Sequence, residues 1–297
     1  VSRKFNMERK VKKTGFDRPF DKFQVTSWIV MTLDLSLIGF AVLPSLPAPS
    51  WVRLKKAVFL SLYVVSLIGT LALAFIATTS DPTDPVVEKY STSVLNNQAF
   101  NVEALHAYCS ICSSIVSNTS KHCSACNRCV DHFDHHCKWL NNCVAKMNYR
   151  IFVLLISIFQ LNQMLQVSSS SALLAMYFQD YDDLADRIHS AYGTSIYMEI
   201  FLALYILALV LSAPVLLLNT NLIGLHILLS YKGITTYEYI LSKRRQTVKI
   251  DLETIGNKPV TDTAIDTTNF DFSKLRSITP DSKAKLEFTS PQESDRS

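Results

Sequence analysis

The sequence predicts an all-α integral membrane protein with four transmembrane helices and a cytosolic cysteine-rich domain between the second and third. Two observations lead there. Hydrophobic residues make up 48% of the 297 residues. They are clumped into runs of the ~20 residues needed to cross a bilayer core, not spread with a helical or strand period. All seven cysteines fall between residues 109 and 143, in a polar stretch that separates those runs. The net charge of +4 says less than its distribution along the chain.

Residues 1–24 carry eight Lys/Arg against three acidic residues. They are charged rather than apolar, so they are not read as a cleavable signal peptide. They are expected to form a basic cytosolic N-terminus facing anionic lipid. Transmembrane helices 1 and 2 are expected within residues 25–78. The first, "VTSWIVMTLDLSLIGFAVLPSL", holds Asp34, and an acid inside a span usually faces the bundle interior or a partner. Pro44, Pro47 and Pro49 end it, and Trp51 fits an interfacial anchor. The second, residues 57–78, has no charge.

Residues 79–149 form the cysteine-rich domain, and residues 150–231 hold transmembrane helices 3 and 4. The third helix contains Gln160, Asn162, Gln163, Gln166 and four serines at 168–171. Such groups cost free energy in lipid, so they should face other helices or a cavity. The acidic stretch "QDYDDLADRIHSAYGT" is expected to be a lumenal loop. Residues 232–245 return to the cytosol, with Lys243, Arg244 and Arg245. Residues 246–297, rich in Ser, Thr and Asp, are expected to be a disordered tail. Counting Lys and Arg places both termini in the cytosol. We find no internal repeat, no phosphate-binding glycine loop and no nucleic-acid signature, so nucleic acid is not an expected partner.

The cysteines carry the chemistry. C-x2-C pairs occur at 109/112, 123/126 and 126/129, interleaved with His106, His122, His132, His135 and His136. This pattern suits metal thiolates better than disulfides, and thiolates persist in a reducing, cytosolic compartment. Two tetrahedral Cys3His zinc sites would consume six cysteines. Each could contribute roughly 10–16 kcal/mol to folding a segment with little hydrophobic pattern. One thiol is left over, and spacing alone does not say which. Cys137 follows Asp134-His135-His136 and precedes Lys138. Cationic neighbours favour a thiolate, and an Asp-oriented His is the usual base for activating one.

The stretch "DHHC" at 134–137, within this cysteine pattern, resembles the DHHC-type protein S-acyltransferases (palmitoyltransferases). "NYRIF" at 148–152 is similar to the family's Asn-x3-Phe, and "TTYE" at 235–238 to its TTxE. "SDPTDP" at 80–85 resembles the DPG motif, with Thr83 where Gly is usual. The four-span layout also agrees.

The resemblance implies one zinc on Cys109, Cys112, His122 and Cys129, and a second on Cys123, Cys126, His136 and Cys143. Cys137 is then the nucleophile, with His135 as base and Asp134 orienting it. It implies an acyl-CoA donor such as palmitoyl-CoA and a ping-pong reaction through an acylated Cys137. The acceptors would be cysteines of membrane-associated proteins, and the acyl chain would lie between the four spans. Lys138, Lys146 and Arg150, with Lys121, are candidate contacts to CoA phosphates. Thr235, Thr236, Glu238 and Asn148 would support the site. An endomembrane location is expected before the plasma membrane; oligomeric state has no signature. Two departures stand out. Lys138 replaces the proline usual after the DHHC cysteine, as in a subgroup of the family. The Pro-x-Arg stretch before the His-Cys pair is absent, with "SNTSKHC" in its place. They leave an alternative reading, a zinc-stabilised membrane scaffold with little or no acyltransferase activity.

Overall fold

A computed structural model describes residues 10–46, 53–102, 106–193 and 195–256. The chain divides into two units, residues 1–245 and 246–297. Four of the described helices are long and apolar enough to cross a membrane: Lys22–Ser45, Ala57–Thr79, Tyr149–Gln179 and Met198–Lys232. The first is α1 (Lys22–Leu37), a π-helical turn (Ile38–Val42) and a short α2 (Leu43–Ser45). It ends where Leu46 turns extended; Pro44, expected to help end the span, lies within α2 instead. Pro47, Pro49 and Trp51 lie outside the described residues. The second span belongs to α3 (Arg53–Thr79). Val65, Ile68, Phe75, Val210, Leu217 and Leu218 are exposed along the spans, an apolar outer surface that suits lipid rather than water.

After α3 come a short α4 (Pro85–Leu95) and three antiparallel ribbons. These are β1 (His106–Cys109) with β2 (Ser114–Ser117), β3 (Lys121–Cys123) with β4 (Arg128–Val130), and β5 (Phe133–Cys137) with β6 (Asn142–Ala145). Among the described residues the fold is therefore mostly helical, with the β ribbons confined to the cysteine-rich region. The third span is α5 (Tyr149–Gln179) and the fourth α7 (Met198–Lys232). The fourth continues past Pro214 to Lys232, close to the expected limit at residue 231.

The acidic stretch expected to be a loop is instead helix α6 (Tyr181–Tyr192). Its apolar residues sit at helical spacing, and Leu184, Ala185 and Ile188 are buried against Ile38, Val42, Leu173 and Phe201. The aspartates occupy the other face and the first turn, where they complement the helix dipole. Charge content masked a short amphipathic helix. The last helix, α8 (Thr236–Gly256), runs into the stretch expected to be disordered. The rest of that expectation, beyond Gly256, lies outside the described residues.

Part of the N-terminal segment has a structural role that the sequence did not announce: residues 10–21 form a strap against the cysteine-rich region. Lys12 is buried, with Nζ donating to Pro19 O (2.7 Å) and Asn141 Oδ1 (3.1 Å) and its backbone N–H to Cys126 O (2.9 Å). Gly15 N–H donates to Thr78 O at 2.7 Å, and Gly15 O accepts from Gln24 Nε2 and Asn141 Nδ2. A Cβ at Gly15 would lie 2.0 Å from Leu140 O, so only glycine fits this approach. Exposed Phe16, Phe20 and Trp28 form an aromatic cluster at the start of the first span, where interfacial aromatics are favoured. Gly15→Val should lower the melting temperature in detergent by about 4 °C or more. The exposed neighbour change Lys13→Ala should leave it within error. An unchanged melt for Gly15→Val would mean the strap is not seated there.

Candidate active site

The ribbons build two four-donor clusters by the same rule. In each, two cysteines come from one ribbon's turn and a His–Cys pair from the next ribbon. Cys109 and Cys112 bracket the β1–β2 turn and meet His122 and Cys129, which are register partners across β3 and β4. Cys123 and Cys126 bracket the β3–β4 turn and meet His136 and Cys143, register partners across β5 and β6. Cross-strand partners share a face, so each His–Cys pair points together at the preceding turn.

The donor spacing suits zinc. Metal–sulfur and metal–nitrogen bonds of ~2.3 and ~2.05 Å imply donors about 3.6–3.8 Å apart in a tetrahedron. His122 Nδ1 lies 4.0, 3.3 and 3.9 Å from the sulfurs of Cys109, Cys112 and Cys129. His136 Nδ1 lies 3.8, 3.4 and 3.9 Å from those of Cys123, Cys126 and Cys143. The Cys112–Cys129 and Cys126–Cys143 sulfurs are 3.5 Å apart, and all seven cysteines are free thiols. Thiols packed so closely do not share protons equally. Hydrogen bonding from Cys129, then from His122, pushes the Cys112 thiol down to about 4. Both residue sets fit a structural zinc, and they are the two sets implied by the family resemblance.

Cys137 belongs to neither cluster. Side chains alternate along a strand, so on β5 His136 turns to its cluster while His135 and Cys137 share the opposite face. Cys137 is buried beside Ala77 of α3 and Phe152, Leu155 and Ile156 of α5. The thiol thus sits where the cysteine-rich region meets the membrane helices. Asp134 falls at an irregularity in the β5–β6 register, which frees it to turn toward its neighbour. Its Oδ2 lies 2.6 Å from His135 Nδ1, leaving Nε2 for the thiol side.

Burial works against the Asp134 charge, but hydrogen bonds from His135 and the Thr236 N–H outweigh it and hold the carboxyl below its usual range. Burial likewise works against the His135 cation. Asp134, then Cys137, counter it and raise the imidazole to about 9. His135 therefore readily holds a proton between these two partners.

The remaining sequence-selected residues surround this core. "TTYE" is a capping box at the start of α8. Glu238 N–H donates to Thr235 Oγ1 (3.2 Å), and Thr235 N–H donates to Glu238 Oε2 (2.8 Å). The box leaves the Thr236 N–H free to donate to Asp134 Oδ1 at 2.9 Å. Asn148 accepts from Ala145 N–H and donates to Cys143 O and Ser80 Oγ, tying β6 to the start of α5. Lys121, Lys138, Lys146 and Arg150 are exposed. Lys138 Nζ lies over the Phe23 ring at 5.5 Å, and Phe23 packs on Trp139 at 5.2 Å.

Sequence reasoning missed the polar residues that seat the cysteine-rich region on the helices. Arg128, 2% exposed, donates to Asp81 Oδ1, Asn142 Oδ1 and Lys13 O. Asn142 donates to Ala77, Thr78 and Ser80 carbonyls at the end of α3. Asp84 caps α4 and accepts from Ser117 and Ser120. His226 of α7 packs near His135, with ring centroids 5.9 Å apart, and hydrogen-bonds Tyr149. Arg128 and the Asn141-Asn142 pair were visible as polar residues inside the cysteine pattern, though nothing in their spacing marked them as buried.

The molecule is thus a multi-pass membrane protein whose cysteine-rich module holds two zinc-compatible clusters and one thiol outside both. Residues 103–243 match the family model for the DHHC palmitoyltransferases. No curated protein matches the chain.

His136→Ala should cost about one of two bound zincs and destabilise the cysteine-rich region, whereas Cys137→Ser should keep about two. Metal counting by mass spectrometry on the purified variants checks both. Loss of zinc from Cys137→Ser would break the assignment of Cys137 as the spare thiol.

Proposed function

We propose that the chain is a protein S-acyltransferase that moves a fatty acyl group from acyl-CoA, through acyl-Cys137, to cysteines of membrane-associated proteins. The observation that carries this reading is Cys137 itself. It lies outside both clusters, faces an Asp-held His135 and sits on the apolar floor of α3 and α5. In the first step His135 takes the Cys137 thiol proton. The sulfur attacks the thioester carbonyl of acyl-CoA, the carbon–sulfur bond to CoA breaks, and His135 returns the proton to the departing CoA thiol. In the second step an acceptor cysteine gives its proton to His135 and attacks the acyl carbonyl of acyl-Cys137; the acyl–sulfur bond to Cys137 breaks, and His135 passes the proton to the Cys137 sulfur. Asp134, itself held by the Thr236 N–H, keeps His135 in the productive tautomer.

The two bound zincs would supply folding free energy and hold β5 rigid, through Cys109, Cys112, His122 and Cys129 and through Cys123, Cys126, His136 and Cys143. Lys121, Lys138, Lys146 and Arg150 are the proposed contacts to CoA phosphates. The bilayer presents the acceptors, with both termini in the cytosol and an endomembrane location.

Purified protein given an alkyne analogue of palmitoyl-CoA should take up label that hydroxylamine releases. Cys137→Ser should lower that uptake by about 100-fold or more while retaining zinc. No thioester label on a fully zinc-loaded unmodified chain would leave the scaffold reading instead.

A second variant tests the positioning of Asp134. Proline is tolerated at the first helical position and deletes only its N–H. Thr236→Pro should therefore slow self-acylation by about 10-fold at unchanged zinc content, and Thr236→Ala, which keeps the N–H, should slow it far less. Equal effects would remove the Thr236 N–H from the mechanism.

A further inference from the structure

His226 of α7 is a buried imidazole, 4% exposed, that the acyl-transfer steps above do not use. Its Nδ1 lies 3.1 Å from Tyr149 Oη of α5. That bond satisfies one ring nitrogen but gives no reason for a histidine at this place. α5 and α7 are already joined about two helical turns away, where Asn219 Nδ2 donates to Gln160 Oε1 and Ile156 O.

The other neighbours of His226 supply the reason. One of its ring nitrogens lies within 4.8 Å of an Asp134 oxygen and a His135 ring nitrogen. Its ring centroid is 5.9 Å from that of His135 and 5.1 Å from that of Phe152, and Phe152 is 5.3 Å from His135. The three rings thus close a triangle. One comes from the strand that carries Cys137, the other two from membrane helices α5 and α7. Phe152 meets both imidazoles edge-on, at 71° and 68°, an arrangement favoured between aromatic rings.

A closed triangle matters because the outer torsion of a histidine is soft and broad. The bond from His135 Nδ1 to Asp134 fixes one edge of the ring; it leaves the plane free to swing about that edge. Two flanking rings remove the swing. The same end of α7 also governs Asp134. The chain turns at Gly233, left-handed with φ 64°, and Thr236 then donates its N–H to Asp134 Oδ1. His226 and Thr236, ten positions apart, therefore hold the two members of the pair, the imidazole by a ring and the carboxylate by a backbone donor.

We propose that His226 is a positioning residue for His135: anchored by Tyr149, its ring sets the His135 plane and keeps the free nitrogen of that imidazole on Cys137. His226 acts through His135 and not on the reacting atoms. The inference rests on the acyl-transfer reading for its purpose, but its effect on the Cys137 thiol is measurable without acyl-CoA.

The test uses the full chain, zinc-loaded and purified in detergent. Two rates are measured: alkylation of Cys137 by iodoacetamide, followed by mass spectrometry of its peptide, and self-acylation across a range of alkyne palmitoyl-CoA concentrations. His226→Leu should slow both by about 10-fold. The half-saturating donor concentration should stay within about twofold, and both zincs should remain. His226→Phe restores a ring without the Tyr149 bond, and should recover both rates to within about threefold of the unmodified chain. In a His135→Ala background, His226→Leu should change alkylation by less than about twofold, because no ring is left to position. Should His226→Leu not fold, Tyr149→Phe is read in its place and should slow alkylation by about threefold. Unchanged alkylation in His226→Leu, or in Tyr149→Phe where that variant stands in, would overturn the proposal. So would a loss that His226→Phe does not recover, or one that persists in the His135→Ala background, since either marks a role in helix packing alone. Slowed alkylation in a chain that takes up no acyl label would keep the positioning role and remove the acyl-transfer reading.

Discussion

The arrangement that everything else hangs on is a cross-strand His–Cys pair closing onto the turn cysteines of the ribbon before it. His122 and Cys129 close on Cys109 and Cys112; His136 and Cys143 close on Cys123 and Cys126. Each ribbon is only three to five residues per strand, too little to bury a core of its own. Roughly 10–16 kcal/mol from each zinc would exceed anything these strands can contribute by packing. Because the second cluster grips His136, the alternation of β5 presents His135 and Cys137 on the other face, toward α3 and α5. The metal sites and the proposed chemistry are thus two faces of one strand.

Much of this was legible in the sequence, and the reasons differ by element. The spans were legible because bilayer thickness demands long apolar runs, and both ligand sets were reached through family resemblance. The spacing of the cysteines alone left the assignment open. What stayed hidden depends on burial created by the fold. Lys12 looks like part of a solvated basic tail, yet its ammonium fills a polar niche made by Pro19 O and Asn141. Arg128 sits among cysteines with no sign that Asp81, Asn142 and Lys13 converge on it. The acidic helix α6 reads as a loop because its aspartates dominate any average, while three residues at helical spacing do the packing. "TTYE" forms a capping box at the start of α8. Its further use, offering a backbone N–H to Asp134, has no signature in side-chain identity.

The same ribbons overturn the expectation that the chain has no internal repeat. Cys109, Cys123 and Cys137 recur at a spacing of 14 residues, as do Cys112, Cys126 and Leu140. The residues next in line, Ser113, Asn127 and Asn141, all take the left-handed backbone conformation, with φ of 49°, 53° and 50°. Three turns therefore share one shape, and asparagine at two of them suits that conformation. The repeat was invisible as text because its units share only a few positions. It emerges once register and backbone are known.

This repeat accounts for the seventh cysteine in physical terms. Cys137 occupies the first-cysteine place of a third turn. Its second place is Leu140, which is buried with Ala77, Val144 and Phe152 against the membrane helices instead of offering a sulfur. The third turn also has no following ribbon to supply a His–Cys pair, because α5 begins at Tyr149. A turn built to bracket a metal has thus lost three of four donors and keeps one thiol in a rigid frame. That thiol faces a different imidazole, His135, and a hydrophobic floor. The frame gives Cys137 the same turn geometry as its counterparts in the two clusters, while its sulfur stays outside both donor sets. On this reading a spare ligand position, rather than a separately built pocket, supplies the nucleophile.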